Sequence, residues 1–223
     1  EIEQAGGGEV SCIRLKNPKS GDDLALAPRH VVLTAGAGNG DLRRRASLSE
    51  SVMQRRPLHM VMLRGALPSL NGHCVDGAST RVTITTASDS SGQAVWQVGG
   101  RIAEDGVDLE PRQLVGHARK EIQAVLPGIE LGEVQWSTYR IDRAESAAAG
   151  RRPEDVSIIQ DGNVITAWPT KLALVPKLAE SIVSLLGEPG ATAEDYLHGV
   201  EPWPRPEVAL PPWETTQQWF DDV

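Results

Sequence analysis

Residues 29–38, RHVVLTAGAG, and residues 161–180, DGNVITAWPTKLALVPKLAE, decide the fold that this sequence predicts. Each stretch contains a short apolar run rich in β-branched residues, which is typical of a strand covered on both faces. Each run leads into a turn or a helix start, and the first turn is rich in glycine and alanine, which let a ligand approach the backbone closely. The two stretches therefore predict two buried strands with ligand-facing turns.

The sequence between these stretches is mainly β in character. The period of two in apolar side chains predicts a hairpin from residues 80–86 and 93–98. Further strands are predicted at residues 9–15, 57–63 and 134–140, and helices at residues 111–126 and 176–186. On the last helix we expect a buried face of Leu178, Ile182, Leu185 and Leu186.

The order of these elements predicts an excursion between two visits to one layer. We expect residues 1–45 and 156–187 to form that layer, residues 46–155 to form a β-rich domain, and residues 188–223 to form an extended tail. The tail holds three of the six tryptophans, and we expect it to pack across its own chain or a partner.

Composition limits the classes of function. A net charge of −8 argues against general affinity for nucleic acid or for anionic membranes. No apolar run approaches the ~18–20 residues of a membrane span, two cysteines fit a reducing cytoplasmic compartment, and no zinc-ligand spacing occurs. The basic cluster of Arg43, Arg44, Arg45, Arg55 and Arg56 is expected to be a solvated face, with a phosphate or partner contact as the alternative.

Individual candidate residues carry two interpretations each. His59 lies on a predicted strand and is the best histidine candidate for catalysis, although a structural role is the commoner outcome for a single histidine. Lys171 lies between a strand and a helix, where it is either solvent-exposed or close enough to stabilise an anionic ring or substrate. The turn at residues 35–40 is either a glycine-rich corner or a cofactor contact.

Four segments together resemble the second half of FAD-dependent oxidoreductases of the D-amino-acid oxidase and glycerol-3-phosphate dehydrogenase superfamily. The resemblance covers about residues 9–186 in the family's order. The segments are Glu9-Val10 with Leu26-Ala27 and VVLTAGAGN; Arg56-Pro57-Leu58; Leu126-Pro127-Gly128 with Trp136 and Arg140; and Asn163-Val164-Ile165 through Leu174–Glu180.

The resemblance implies a mixed α/β and α+β fold: part of an FAD-binding, Rossmann-like layer, and a mainly antiparallel substrate-domain sheet with flanking helices. It implies hydride transfer from an amino acid, hydroxy acid or polyol-type substrate to FAD. Backbone near Val10 would contact adenine, whereas Ala35, Gly36, Ala37 and Gly38 would border the flavin. The turn at Trp168–Leu172 would approach the isoalloxazine ring, with Thr170, Lys171 and Leu172 as its cofactor-binding residues. Arg140 would hold a substrate carboxylate, with Arg143 as the alternative.

Two departures from the family pattern shape the expected function. Trp168-Pro169-Thr170-Lys171 replaces the usual glycine-rich turn, and no GxGxxG motif precedes Val10. We therefore expect an N-terminal half or a partner subunit to supply the dinucleotide motif, and an oligomer is compatible with this arrangement. The alternatives are a non-catalytic binding or assembly subunit and an unrelated α+β domain.

Overall fold

The computed structural model describes residues 1–221 apart from residues 7, 78 and 190–202. The chain divides into two compact units: unit 1 contains Glu1–Arg56 and Arg143–Glu207, and unit 2 contains Pro57–Asp142 and Val208–Val223. The architecture is mixed α/β, with a five-stranded antiparallel sheet, two three-stranded sheets and a few helices in the described residues. The excursion thus runs from residue 57 to residue 142, whereas the sequence predicted residues 46–155.

The strands in the described part of the chain are β1 (Ile2–Gln4), β2 (Val10–Lys16), β3 (Asp23–Leu26), β4 (Val31–Leu33), β5 (Met53–Gly65), β6 (Gly72–Asp76), β7 (Ser79–Ser88), β8 (Ala94–Gly99), β9 (Val134–Ser146), β10 (Ser157–Asp161) and β11 (Val164–Trp168). The helices there are α1 (Asn39–Arg45), α2 (Arg101–Asp105), α3 (Pro111–Val125), α4 (Val175–Leu186) and α5 (Pro212–Thr215). Short 3₁₀ turns, Gly36–Gly38 and Leu172–Leu174, precede α1 and α4.

Unit 1 is built around β11, whose five residues are all buried. This strand pairs in parallel with β4 and antiparallel with β10, so it is the central strand of its sheet. Leu178 and Ile182 of α4 pack with Ala167 on one face of the sheet. On the other face lies an apolar cluster of Val10, Val31, Leu33, Ala46 and Val164. The prediction that residues 30–34 and 163–167 contain buried strands is confirmed.

Unit 2 has one apolar core beneath a sheet in the order β6-β7-β8-β5-β9. The β7–β8 hairpin is confirmed, with Ile84 opposite Val98 and Thr86 opposite Trp96. Helix α3 buries Leu114, Ala118 and Ile122 in this core, as its apolar stripe predicts. A capping box begins the helix, since Glu110 and Gln113 satisfy each other's backbone N–H groups.

The C-terminal segment, residues 208–221, belongs to unit 2 and packs along β9. The backbone of Phe220 donates to and accepts from that of Trp136, at N···O distances of 2.7 and 2.8 Å. Phe220 is 7% exposed and belongs to the core of the unit. Trp219 lies under the Arg64 guanidinium at 4.1 Å. The segment therefore covers the edge of β9, which would otherwise present unpaired backbone groups.

Two expectations about side-chain exposure are wrong. Arg43 is 1% exposed rather than solvated, because its guanidinium donates to the Ser49 carbonyl oxygen, the Asp161 carboxylate and the Thr166 hydroxyl. Leu185 is 41% exposed, because it lies in the last turn of α4, about 60° around the helix from buried Ile182. The strands predicted at 57–63 and 134–140 extend further, as β5 and β9.

Some general properties follow from the described residues alone. Within them, no helix is long and apolar enough to cross a membrane. No group of three or more histidine, cysteine, aspartate or glutamate side chains in these residues could hold a metal ion. Both cysteines, Cys12 and Cys74, are free thiols.

Candidate flavin-binding site

The two turns singled out by the sequence lie at one edge of a sheet in unit 1. Strands β4 and β11 run parallel, with Val31 opposite Val164 and Leu33 opposite Thr166. Because parallel strands end at the same edge, the turns after them lie next to each other. Ligands of open α/β sheets bind at such carboxyl edges, which makes this edge the candidate site.

Asn39 ties the first turn to the end of β11 and is fully buried. Its side-chain oxygen accepts the Ala35 N–H at 2.7 Å, and its amide nitrogen donates to the Ala167 carbonyl oxygen at 3.3 Å. A single side chain thus fixes the start of the first turn against the end of β11. The structure thereby places the first turn, with the predicted cofactor residues 35–38, beside the strand end that residues 170–172 follow.

The first turn presents open backbone. Gly36 has a φ of +57°, and a Cβ atom added there would meet nothing within 4 Å. The Gly38 N–H donates to the Ala35 carbonyl oxygen at 2.9 Å, which closes the turn. Arg55 donates to the Ala37 carbonyl oxygen at 3.3 Å and brings a positive charge to this turn. The turn therefore offers space and a cation together.

The second turn is tight and strained. The Lys171 N–H donates to the Pro169 carbonyl oxygen at 2.6 Å, and Thr170 between them has a φ of +60°. A three-residue turn of this kind is rare and costly for a β-branched residue. The Thr170 hydroxyl donates to the Asp155 carbonyl oxygen at 2.8 Å, which helps to hold the turn in place. Lys171 and Leu172 are exposed.

Asp155 also holds the beginning of α4 beside this turn. Its carboxylate pairs with Lys177 and accepts the Val156 N–H at 2.7 Å. The hydrogen bond from Lys177, together with that of the Val156 backbone, holds the pKa of the Asp155 carboxyl below its ordinary value. Asp155 therefore links the second turn and helix α4 through separate oxygen atoms.

Val10 lies at the opposite end of β11 from these turns. Its N–H donates to the Asn163 side-chain oxygen at 2.9 Å, and its carbonyl oxygen accepts from the Asn163 amide at 2.8 Å. Asn163 precedes β11, so the length of that strand, about 17 Å, separates Val10 from the candidate site. A contact between Val10 and adenine stays a prediction.

His59 and Arg140 both hold one loop in unit 2, between α2 and α3. The two ring nitrogens of His59 face the Gly106 carbonyl oxygen at 3.1 Å and the Thr138 hydroxyl at 3.0 Å. Arg140 donates to the carbonyl oxygens of Val107 and Leu109. This geometry accounts for both side chains by structure alone, and their proposed roles in catalysis stay predictions.

Burial is the main cause of a lowered pKa for His59, and the nearby Arg140 charge lowers it further. An unfolded histidine takes up its proton at about pH 6.5, whereas folded His59 does so only at lower pH. The stabilising contribution is therefore complete above about pH 6.5 and is lost as the pH falls towards the folded pKa. His59 stays neutral in the folded chain at neutral pH.

We expect the wild-type chain to lose more free energy of unfolding than the His59→Gln variant between about pH 7.5 and about pH 5.5. Chemical denaturation at both pH values measures the difference. His73→Gln, at an exposed position, is the control and should keep the wild-type dependence. An identical pH dependence in wild type and His59→Gln would contradict the lowered pKa of His59.

Sequence reasoning missed the surroundings of two residues that organise the site. Asn39 follows Gly38 directly, and an asparagine at the start of a helix is a common capping signal, but its contact with Ala167 spans 128 positions. Trp168 lies in the turn that the resemblance places near the ring, but the sequence does not show that it is 1% exposed at the end of β11. No local pattern reveals either long-range environment.

Unit 2 contains two hollows that are separate from the candidate site. One has a volume of about 140 Å³ and is almost wholly apolar. The other, of about 390 Å³, is lined mainly by charged residues that include the Arg81–Glu121 ion pair. The Arg81 hydrogen bond lowers the pKa of Glu121. Arg81 and Glu121 neutralise each other, so neither side chain contributes an unpaired charge to the second hollow.

Comparison with known proteins identifies one close relative in sequence and structure. No family model matches the chain. The chain is 40% identical over 224 residues to the probable FAD-dependent oxidoreductase PA4991 of Pseudomonas aeruginosa. This alignment covers 95% of this chain and 57% of that protein. The crystal structure of the FAD dependent oxidoreductase PA4991 matches 96% of this chain and 58% of its own, with 38% identity and a TM-score of 0.74.

A glycerol-3-phosphate dehydrogenase from Bacillus halodurans, solved with FAD, aligns with 85% of this chain and 39% of its own at 13% identity and a TM-score of 0.42. Similarity at that level supports no argument about fold or function. The match to the Pseudomonas protein does, although the chain spans little more than half of its length. This chain is therefore a partial homologue of an FAD-dependent oxidoreductase.

Proposed function

We propose that unit 1 holds the isoalloxazine ring of FAD at the carboxyl edge of β4 and β11, as part of a flavin-dependent oxidoreductase. The observation that carries this proposal is the contact by which Asn39 holds the first turn against the end of β11, where the second turn begins. Homology to an FAD-dependent oxidoreductase over 95% of the chain supports it. The position also follows the general preference of α/β sheets for ligands at carboxyl strand ends.

The residues at this edge fit the ring end of the cofactor. Gly36 leaves space beside the backbone, Lys171 offers an exposed ammonium group, and the buried indole N–H of Trp168 has no partner among the described residues. The sequence has no GxGxxG turn that could cradle a diphosphate. This chain therefore fits one part of FAD and requires another part of the protein, or a partner, for the rest.

The reaction class follows from the cofactor. Bound FAD would supply the acceptor for the hydride that a substrate loses. The contribution of this chain is to position the ring and to place charge near it. Lys171 favours a negatively charged ring or a carboxylate, because its ammonium group lies on the turn after β11. We propose an amino acid, a hydroxy acid or a polyol-type compound as the substrate.

We further propose that a polypeptide carrying a GxGxxG unit completes the site, either as an N-terminal half or as a partner subunit. Exposed apolar side chains support a second polypeptide at this place. They follow one side of the α4 region at helical spacing: Leu172, Val175 and Val183, which are 87%, 41% and 65% exposed. The chain also spans only 57% of its relative's length. The charge of −8 fits neither a nucleic-acid partner nor a membrane partner.

A non-catalytic subunit is the second candidate function, and one observation favours it. Both groups proposed as catalytic in unit 2 are occupied: His59 by Gly106 and Thr138, and Arg140 by two loop carbonyl oxygens. His59 is not available to a substrate without breaking these hydrogen bonds, whereas Arg140 would have to use its remaining N–H groups. Such a subunit would support a flavin site without contributing a general base.

Titration with FAD tests the proposal. We expect saturable binding with a change in the flavin absorbance bands, and tighter binding when a polypeptide that carries the GxGxxG unit is added. Lys171→Ala should change the spectrum of the bound flavin, whereas Lys19→Ala, in the exposed turn between β2 and β3, should not. Absence of FAD binding with and without the added polypeptide would refute the proposed function.

A further inference from the structure

We propose that the indole N–H of Trp168 is a hydrogen-bond donor reserved for an acceptor atom of the flavin ring, which makes Trp168 a positioning residue of the site. The inference rests on the proposed flavin site and names one contact within it. Trp168 is the last residue of β11 and is 1% exposed. Its Nε1 atom has no hydrogen-bond partner among the described residues.

An unpaired buried indole N–H is unusual and costly. Most buried polar groups are paired, because a donor left unpaired in the interior destabilises the folded state. Trp96 shows the ordinary outcome: it is fully buried, and its indole N–H donates to the Pro68 carbonyl oxygen at 2.8 Å. The same side chain in the same chain is therefore satisfied in one place and unsatisfied at the candidate site.

His30 and Trp213, which also have a buried ring nitrogen atom without a hydrogen-bond partner among the described residues, lie elsewhere. His30 precedes β4, at the amino end of the strand, and Trp213 belongs to unit 2. Both residues are half-buried, whereas Trp168 is almost completely so. Trp168 thus combines deep burial with a place at the carboxyl edge where the two turns meet.

The register of the sheet gives the location of Trp168. Leu33 lies opposite Thr166, so two residues further along Trp168 comes level with Ala35, the first residue of the first turn. Asn39 fixes the same level by binding Ala35 and Ala167. Pro169 then begins the second turn and has no N–H of its own. Trp168 therefore lies level with the start of the first turn and directly before the second.

The chemistry of the donor defines its acceptor. An indole N–H is neutral and only donates, so it matches a neutral carbonyl oxygen or ring nitrogen of the isoalloxazine system. The cationic group on the adjacent turn, Lys171, suits the charge that the ring gains on reduction. The two groups thus have separate tasks, with Trp168 setting the position of the ring.

The indole resonance of Trp168 in a ¹H–¹⁵N spectrum provides the first test, with riboflavin as the probe. In the free chain we expect this resonance upfield of that of Trp96, because only Trp96 is hydrogen-bonded. Saturation with riboflavin should move it downfield and leave Trp96 in place. A downfield position in the free chain, or no shift at saturation, would overturn the inference.

The Trp168→Phe variant provides the second test, with Trp96→Phe as the matched control. Both variants shorten a buried aromatic side chain, but only Trp96→Phe leaves a backbone acceptor unpaired. We expect Trp168→Phe to lower the melting temperature less than Trp96→Phe and to weaken riboflavin binding about 3- to 10-fold. Unchanged riboflavin affinity in Trp168→Phe would overturn the inference.

The outcomes separate this inference from the proposed function. If riboflavin shifts the backbone resonances of residues 35–38 but not the Trp168 indole resonance, the flavin site stands and the donor assignment is wrong. If riboflavin and FAD shift no resonance at all, both are wrong. If both the turn and the indole resonances move, both are supported.

Discussion

Replacement of Phe220 by alanine should lower the free energy of unfolding of unit 2 by about 3–5 kcal/mol. The ring is 7% exposed and belongs to the core cluster that includes Trp136. The Arg112 guanidinium lies 4.7 Å from its centre, so the substitution also removes a cation–π contact. The effect is large because a cavity opens where the C-terminal segment meets β9.

Leu210→Ala is the matched control for Phe220→Ala. Leu210 lies in the same segment but is 67% exposed, so we expect a change within about 0.5 kcal/mol. Urea denaturation followed by tryptophan fluorescence measures both variants. If Phe220→Ala is no less stable than Leu210→Ala, the C-terminal segment does not belong to the folded core of unit 2.

Asn39→Ala should lower the free energy of unfolding by about 2–4 kcal/mol and should also disrupt the candidate flavin site. The substitution leaves the Ala35 N–H and the Ala167 carbonyl oxygen without their partner in a fully buried place. The first turn then loses its attachment to the end of β11. We expect riboflavin to bind at least about tenfold more weakly, because the two walls of the site no longer keep their separation.

Asn163→Ala is a close control, since Asn163 makes the same kind of paired amide contact at the other end of β11. It binds the N–H and the carbonyl oxygen of Val10. We expect Asn163→Ala to lower the free energy of unfolding as well. Its riboflavin affinity should be retained, because riboflavin has no adenine group. Equal loss of riboflavin affinity in the two variants would show that the effect is general unfolding rather than damage to the site.

Local periodicity explains which elements could be predicted. The β7–β8 hairpin, α3, β11 and α4 each carry an apolar pattern that their own residues display. Short edge strands such as β1, β3 and β6 carry weak patterns, because their burial is partial and depends on a partner strand. The central architecture and the edge strands β4 and β9 were therefore predictable, whereas β1, β3 and β6 were not.

The candidate site was predictable in its backbone but not in its side chains. The turns at 35–38 and 170–172 follow apolar strands, and the sequence shows both. The buried Arg43 was not predictable, because its partners Asp161 and Thr166 lie more than a hundred positions away. The same holds for Asn39 and for the unpaired donor of Trp168, whose environments arise only from the fold.

The most direct test of the flavin site is a backbone ¹H–¹⁵N map of the ¹⁵N-labelled chain during titration with riboflavin, which lacks the diphosphate and the adenine. The account predicts saturable shifts at residues 35–38 and 170–172, at the carboxyl edge of β4 and β11, and none at Val10 or Asn163. Saturable shifts confined to other residues, or no shifts at any riboflavin concentration, would contradict it.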